Sequence, residues 1–200
     1  MSLKKAYLIV ILILVIDQIS KIYIKTHFIL EEKEPVFSWF QIYFIENEGM
    51  AWGAKIPSWL GGKLALTVFR IFAVCGIGWW LHDSVKKRLS PYLIVSIALI
   101  LAGAFGNIID SVFYGVIFDH SVGHVATLFS DRPYGTLFHG KVVDMLYFPI
   151  IRGAHFPDWV PGIGGNEFSF FNAIFNVADA AISVAVGILI VFNKKAFAKG

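Results

Sequence analysis

Asp179 lies in the apolar stretch from about Phe171 to Phe192, with no basic residue near it in sequence. A charge at the centre of a membrane-spanning helix costs at least about 2.5–3.5 kcal/mol on insertion scales, so this carboxylate calls for a reason. Asp144 interrupts a second apolar run, Lys141-Val142-Val143-Asp144-Met145-Leu146-Tyr147-Phe148, which ends at Pro149 and is too short to span as a helix. Placed at an outer membrane surface, that run can bring Asp144 over the helix carrying Asp179. Two carboxylates held together cannot both ionise cheaply; one pKa rises and the pair shares a proton. Such a pair can activate water with one member and polarise a carbonyl with the other, and it needs no nucleophilic Ser or Cys.

Other polar residues recur at helical spacing. Asp17 and Lys21 are four apart, an ion-pair spacing that a purely structural role would also explain. Gly103, Asn107 and Asp110 stand at i, i+4 and i+7, and Asn172, Asn176 and Asp179 repeat the pattern. Each set forms one stripe, turned toward a common interior. Asn107 could equally serve as an interhelical hydrogen-bonding group, and Gly103 and Gly106 read as close-packing positions. Arg70 is the single charge in its apolar stretch and is expected to face lipid phosphate or a loop carboxylate.

The elements that position these groups follow from composition. The 200 residues are 57% hydrophobic, 16% aromatic and 16% charged, with a mean hydropathy of +0.69; soluble domains average about 25% charged. A disordered chain, a basic nucleic-acid binder and a disulfide scaffold are excluded. A net charge of +3 is too small to imply a polyanionic partner, so no nucleic acid is expected. The single Cys75 permits no intrachain disulfide and is expected to be a packed thiol. Four stretches approach the roughly 20 apolar residues a spanning helix needs: about 6–24, 64–81, 92–113 and 171–192. The first lacks a small-x-small cleavage site and is expected to be retained. The fold class expected is therefore an all-α membrane protein of four transmembrane helices. A small extracytoplasmic β-rich segment and extended outer loops, about 25–63 and 114–170, complete one domain over 1–200. Phe37 to Ile45 reads as a strand.

Lys4, Lys5, Lys86, Lys87, Arg88, Lys194, Lys195 and Lys199 crowd the short termini and the short second loop. The positive-inside rule then places both termini in the cytoplasm and both long loops outside. Lys25 counts among the dilute charges of the first long loop. Along span three, Asp110 lies roughly 28 Å from the cytoplasmic start at about 1.5 Å per residue, so the polar layer sits just beneath the outer surface. A transporter would carry its polar site at the midplane. His120 and His124 have a ligand spacing, but no His-Glu-x-x-His is present and Gly123 argues against a helix there, so no metal and no cofactor are expected.

Five blocks in chain order resemble those of lipoprotein signal peptidase, or signal peptidase II, the membrane aspartic protease family of bacteria. Asp17-Gln18-Ile19-Ser20-Lys21 is similar to its Asp-x-x-x-Lys block. Asn47-Glu48-Gly49-Met50-Ala51-Trp52-Gly53 resembles its Asn-x-Gly-x-Ala-Phe segment. Gly103-Ala104-Phe105-Gly106-Asn107-Ile108-Ile109-Asp110 resembles Gly-x-x-Gly-Asn-x-x-Asp-Arg. Val142-Val143-Asp144 resembles Val-x-Asp-Phe, and Phe175-Asn176-Val177-Ala178-Asp179 resembles Phe-Asn-x-Ala-Asp. The resemblance implies an endopeptidase of the bacterial inner membrane, monomeric, with its active site near the outer leaflet. Its substrate would be a prolipoprotein carrying a diacylglyceryl group on a cysteine, cleaved just before that cysteine, with membrane lipid as its other partner. Asp144 and Asp179 would be catalytic; Asp17, Lys21, Asn47, Gly49, Arg70, Gly103, Asn107, Asp110, Asn176 and Ala178 would bind substrate or support the site. The chain departs from the family in having Ser111 where Arg is usual, a role Arg132 or Arg152 could fill. It also has a longer segment between Asp110 and Asp144, for which Asp119, Asp131 and Asp158 are the fallback partners of Asp179.

Overall fold

A computed structural model describes residues 1–48 and 62–198. Gly49 and the rest of the expected Met50–Gly53 block lie outside the described residues. The order is α1 (Leu3–His27), β1 (Lys33–Phe37), β2 (Phe40–Asn47), α2 (Gly62–Lys86) and α3 (Pro91–Ile109). A π-helical turn, Asp110–Tyr114, and α4 (Gly115–Ile117) prolong α3. There follow β3 (Val142–Tyr147), β4 (Ile151–His155), β5 (Glu167–Phe170), β6 (Ile174–Phe175), α5 (Val177–Val191) and α6 (Asn193–Ala196).

Among the described residues three helices are long and apolar enough to cross a membrane: α1, α2, and α3 with its continuation to Ile117. Helix α5 is apolar but has 15 residues. It is about 22 Å long and starts six residues later than the stretch 171–192 predicts. Residues 174–175 are drawn into the sheet, Leu146 pairing with Phe175 and Tyr147 with Ile174, and Asn176 caps the helix where the strand stops. The helical layer with a small β-rich part agrees with the expected fold class; the β part is two small sheets, and one of them takes residues 174–175 from the stretch expected to be the fourth helix. Helix α3 is the central helix, packed on α1, α2 and α5, and its far half meets Ala6, Val10, Leu81 and Ala196 in one apolar core. Outward faces are bare hydrocarbon: Leu8, Leu12 and Ile19 on α1, Phe69 and Phe72 on α2, and Ile190 on α5 are all exposed. Cys75, expected to pack, is exposed on the same kind of surface. This burial is inverted relative to a soluble bundle, as a lipid-facing surface requires.

The connection between α2 and α3 is four residues long, so the C-terminus of α1, the N-terminus of α2, the end of α3 and the start of α5 all gather at one end of the layer. There sits an antiparallel sheet in the order β1-β2-β3-β6. The run expected to be one strand over Phe37–Ile45 is a hairpin instead, turning at Ser38-Trp39. Hairpin β4–β5 stands apart as a second sheet.

Backbone groups freed by the π-helical turn find partners in the loop before β3. Phe138 N donates to Val112 O at 3.0 Å, Gly140 N to Ser111 O at 2.9 Å and Gly135 N to Gly115 O at 2.9 Å. Such turns expose carbonyls that an α-helix would use internally. Gly115 and Gly140 allow this contact, since a Cβ on either would strike backbone of the other strand of chain. The loop is thus sewn to the end of α3 and delivers β3 directly above it.

Candidate active site

Helix α1 presents Asp17 and Lys21 on one face, both fully buried. Lys21 Nζ lies 2.9 Å from Asp17 Oδ2 and 2.8 Å from Asp110 Oδ2. The ion pair expected from sequence is therefore a triad of two carboxylates and one ammonium. The remaining lone pairs are used: Asp17 Oδ1 accepts Ala178 N at 2.9 Å, Asp110 Oδ2 accepts Val143 N at 3.3 Å, and Gln18 donates to both carboxylates at 3.0 Å. Buried charges are tolerated only with such complete hydrogen bonding. The triad binds α1 to α3, to the first turn of α5 and to β3.

The stripe Gly103-Asn107-Asp110 has a different role at each position. A Cβ on Gly103 would meet the carbonyl oxygen of Ala178, and one on Gly106 would lie 2.6 Å from Asp17 Oδ2 and 3.2 Å from the Ala178 Cβ. These glycines therefore let the first turn of α5 approach α3, and Ala178, fully buried, is small for the same reason. Asn107 Oδ1 accepts Lys21 Nζ at 2.9 Å, and its Nδ2 donates to Asp179 Oδ1 at 2.8 Å.

Asn176 and Asp179 form a capping box at the start of α5. Asp179 N donates to Asn176 Oδ1 at 2.9 Å, and Asn176 N to Asp179 Oδ2 at 3.4 Å. The Asn176 Nδ2 donates to Asp144 Oδ1 at 2.7 Å and also reaches Asn107 Oδ1 at 3.1 Å and Val143 O at 3.2 Å. From β2, the Asn47 amide donates to Asp144 Oδ2. One asparagine thus joins the strand carboxylate to the helix carboxylate. Burial pushes the Asp144 carboxyl up to about 7, with the negative charge of Asp179 adding to the rise against the opposing pull of Lys21, Asn176 and Asn47.

Asp179 opens into a cavity of about 280 Å³ between α2, α3 and α5, lined by Arg70, Ala73, Val74, Ala104, Asn107, Ile108, Asp179 and Ile182. Arg70, expected to face lipid phosphate or a loop, lines this cavity with the aspartate. A second, wholly apolar groove of about 330 Å³ lies at the other end of the layer, between Pro91, Tyr92 and Ile188, away from every polar group of the site.

The fallback aspartates are elsewhere. Asp131 and Asp158 are exposed, and Asp119 closes its own loop by accepting Thr127 N at 2.7 Å. Ser111 donates to Asn107 O at 2.9 Å, which stitches the end of α3 and brings no cation to the place of the usual Arg. Arg132 is exposed. His120 and His124 stack edge to face, and among the described residues no group of three metal-ligating side chains forms. Sequence reasoning missed Gln18, whose amide lies between the two triad carboxylates, and Tyr114, whose hydroxyl donates to Gln18 Oε1 at 3.2 Å. Gln18 lies within the Asp17–Lys21 segment of α1, and an uncharged amide at that point of an apolar helix was the available signal.

Comparison with known proteins adds the decisive observation. The sequence signature of Signal peptidase (SPase) II matches residues 9–194. The chain belongs to the signal peptidase II family. It is 49% identical over 184 residues to the lipoprotein signal peptidase of Porphyromonas gingivalis, covering 91% of this chain and 79% of that one. It is 35% identical over 199 residues to that of Amoebophilus asiaticus, covering 96% and 78%. A bacterial membrane enzyme solved by the in meso method at 2.3 Å shares the fold, with a TM-score of 0.63, 21% identity and coverage of 98% of this chain and 93% of that one. The chain is accordingly a membrane-embedded protease of the signal peptidase II family, and four of the blocks read from sequence, with Asn47 of the fifth, fall on the gathered end of its helical layer.

Proposed function

We propose that the chain is an aspartic endopeptidase that removes signal peptides from prolipoproteins, cutting before a cysteine that carries a diacylglyceryl group. The observation that carries this reading is the Asn176 link between Asp144 and Asp179, the latter lining the cavity. Asp144, with its raised pKa, is the protonated partner. Asp179 is the ionised base: it takes a proton from water as the oxygen attacks the scissile carbonyl carbon. Asp144 gives its proton to the carbonyl oxygen, forming a gem-diol. Collapse breaks the C–N bond, Asp179 passes its proton to the cysteine amine, and a gem-diol proton returns to Asp144. Asn107 and Asn176 hold the carboxylates, Asn47 holds Asp144 from above, and the Asp17–Lys21–Asp110 triad fixes the helices. Gly49 would belong to the same substrate-facing segment as Asn47.

Localisation follows the same reading. Helices α1, α2, α3 and α5 serve as four spans of a bacterial inner-membrane protein, a single peptidase unit over 1–200 that acts as a monomer. Both termini lie in the cytoplasm, and the sheet and dyad lie at the outer leaflet. The signal helix of the substrate docks along the cavity between α2, α3 and α5 while its lipid tails stay in the bilayer. The deciding experiment is cleavage of a synthetic prolipoprotein by purified Asp144→Asn and Asp179→Asn variants, with a lipidated and an unlipidated substrate. Both variants are expected to be inactive, and the wild type is expected to prefer the lipidated peptide. Full turnover by either variant would remove the dyad.

A further inference from the structure

Behind the sheet lies a charged cluster that the dyad does not use. Lys25, in the last turn of α1, is fully buried, and Glu46 on β2 has a side chain 4% exposed. Lys25 Nζ lies 2.5 Å from Glu46 Oε1. Ser121 Oγ bridges the two at 3.0 and 3.1 Å, and Lys141 Nζ holds Glu46 Oε2 at 3.3 Å. The ammonium is caged by the rings of Phe118 and Tyr134 at 5.1 Å and Phe44 at 5.8 Å. Burial alone would raise the Glu46 carboxyl, but Lys25 and Lys141 hold it below its ordinary value.

A buried ion pair is a poor way to gain stability, since apolar replacement is often neutral or better, and an apolar core already surrounds this one: Ile24, Phe44, Val143 and Met145. What an ion pair adds is direction. Its position in the strand ladder gives that direction a target. Ile45 pairs with Asp144 and Glu46 with Val143, so Glu46 and Asp144 point to opposite faces of the same strand pair. Glu46 precedes Asn47, whose amide donates to Asp144. At the other end of the stripe, Asp17 accepts the N–H of Ala178, the residue before Asp179. Asp17, Lys21 and Lys25 stand on one face of α1, spaced about 6 Å apart.

We propose that Lys25 and Glu46 form a strut that sets the position of Asp144 relative to Asp179, with α1 as the rule between them, and so act as positioning residues for cleavage. This rests on the dyad reading above. Lys141, Asp119, Ser121 and Tyr134 face the strut from the neighbouring elements, and Lys21, Asn176, Asn47 and Asp179 face Asp144.

The test compares Lys25→Met, Glu46→Gln and Lys25→Arg in the full-length protein, with Asp179→Asn as the inactive reference. Lys25→Met is expected to lower kcat at least tenfold with KM changed less than twofold, and Glu46→Gln several-fold. Lys25→Arg, which keeps a cation in the cage, is expected to recover most of the loss. The pH profile separates positioning from a simple field effect. Loss of the Lys25 charge and loss of the Glu46 charge would push the titration of Asp144 in opposite directions through space. A loosened sheet moves the alkaline limb downward in both variants, because Asp144 becomes better solvated and farther from Asp179. Wild-type kcat and pH profile in the folded fraction of Glu46→Gln, or limbs shifting in opposite directions, would overturn the strut. Were Asp179→Asn itself active, the dyad reading would fail first, a distinguishable result.

Discussion

Asn176 holds Asp144 from one side and Asp179 from the other: its Nδ2 lies 2.7 Å from Asp144 Oδ1, and its Oδ1 accepts the Asp179 N–H at 2.9 Å. The residue that starts α5 is therefore also the residue that ties the strand to the helix. Helix capping and site assembly are one event, which is why an Asn stands three positions before the aspartate.

Asn176→Ala is expected to reduce cleavage by at least 100-fold. It should also destabilise the protein by more than the ~1 kcal/mol typical of a lost cap, because Asp144 loses a buried donor as well. Thermal unfolding in detergent and a cleavage assay measure the two effects separately.

The titration of Asp144 sets a pH dependence of known sign. Its folded pKa of about 7 lies above the ordinary 3.8. It therefore contributes stability that is full below about 3.8 and is lost as pH rises through about 7, where a buried carboxylate must be held near Asp179. The Tm should be higher at pH 5.5 than at pH 8, with Asp144→Asn flattening the difference. In the proposed mechanism the acid form of Asp144 is the working one, so kcat/KM should fall with a one-proton slope above about pH 7.

Close approach of α3 and α5 makes the two glycines unequal to others. Gly106→Ala places a methyl 2.6 Å from Asp17 Oδ2 and should cost about 1–3 kcal/mol, with activity falling as the triad shifts. Gly76→Ala meets nothing within 4 Å and should be neutral or stabilising by up to about 1 kcal/mol from helix propensity. Tm values of the two variants check the contrast.

Lys21→Met leaves Asp17 and Asp110 buried together without their cation. Breaking a buried pair in this way costs about 3–5 kcal/mol, so this variant should accumulate poorly and unfold at a much lower temperature than Lys87→Met. The Lys87–Asp83 pair is 2.7 Å long, and its lysine is largely exposed. Such exposed pairs contribute little.

Much of the site was legible because its residues pay for burial and so stand out from an apolar background. Asp17, Lys21, Asn107, Asp110, Asn176 and Asp179 all occupy helical spacings, and the structure brings every one of them to the same end of the layer. What was illegible depended on contacts between distant segments. Lys25, counted among loop charges, belongs to α1 and is buried, because its partner Glu46 sits 21 residues away on a strand. The late start of α5 was hidden because Phe171–Phe175 is mostly apolar like the helix that follows; pairing with β3, not hydropathy, made Ile174–Phe175 a strand. Cys75 was misjudged because apolar sequence implies burial only in water, and here the outer surface faces hydrocarbon.

Composition and spacing by themselves marked an apolar membrane chain, the polar stripes of α1 and α3 and the aspartates that could do chemistry, since charge in an apolar helix and helical periodicity are local properties. The stripe expected over Asn172, Asn176 and Asp179 does not form on a helix: Asn172 lies before β6, where its Oδ1 accepts the Tyr147 hydroxyl at 2.8 Å, and Asn176 is the N-cap of α5. Only the tertiary structure decided that Asp144 meets Asn176 and that α1 grips both the sheet and α5. Hydrogen bonds such as Asn176 to Asp144 at 2.7 Å and Ala178 N to Asp17 at 2.9 Å, between residues 32 and 161 apart in the chain, have no local signature; they exist because the strand ladder and the glycine-lined helix contact bring those atoms together.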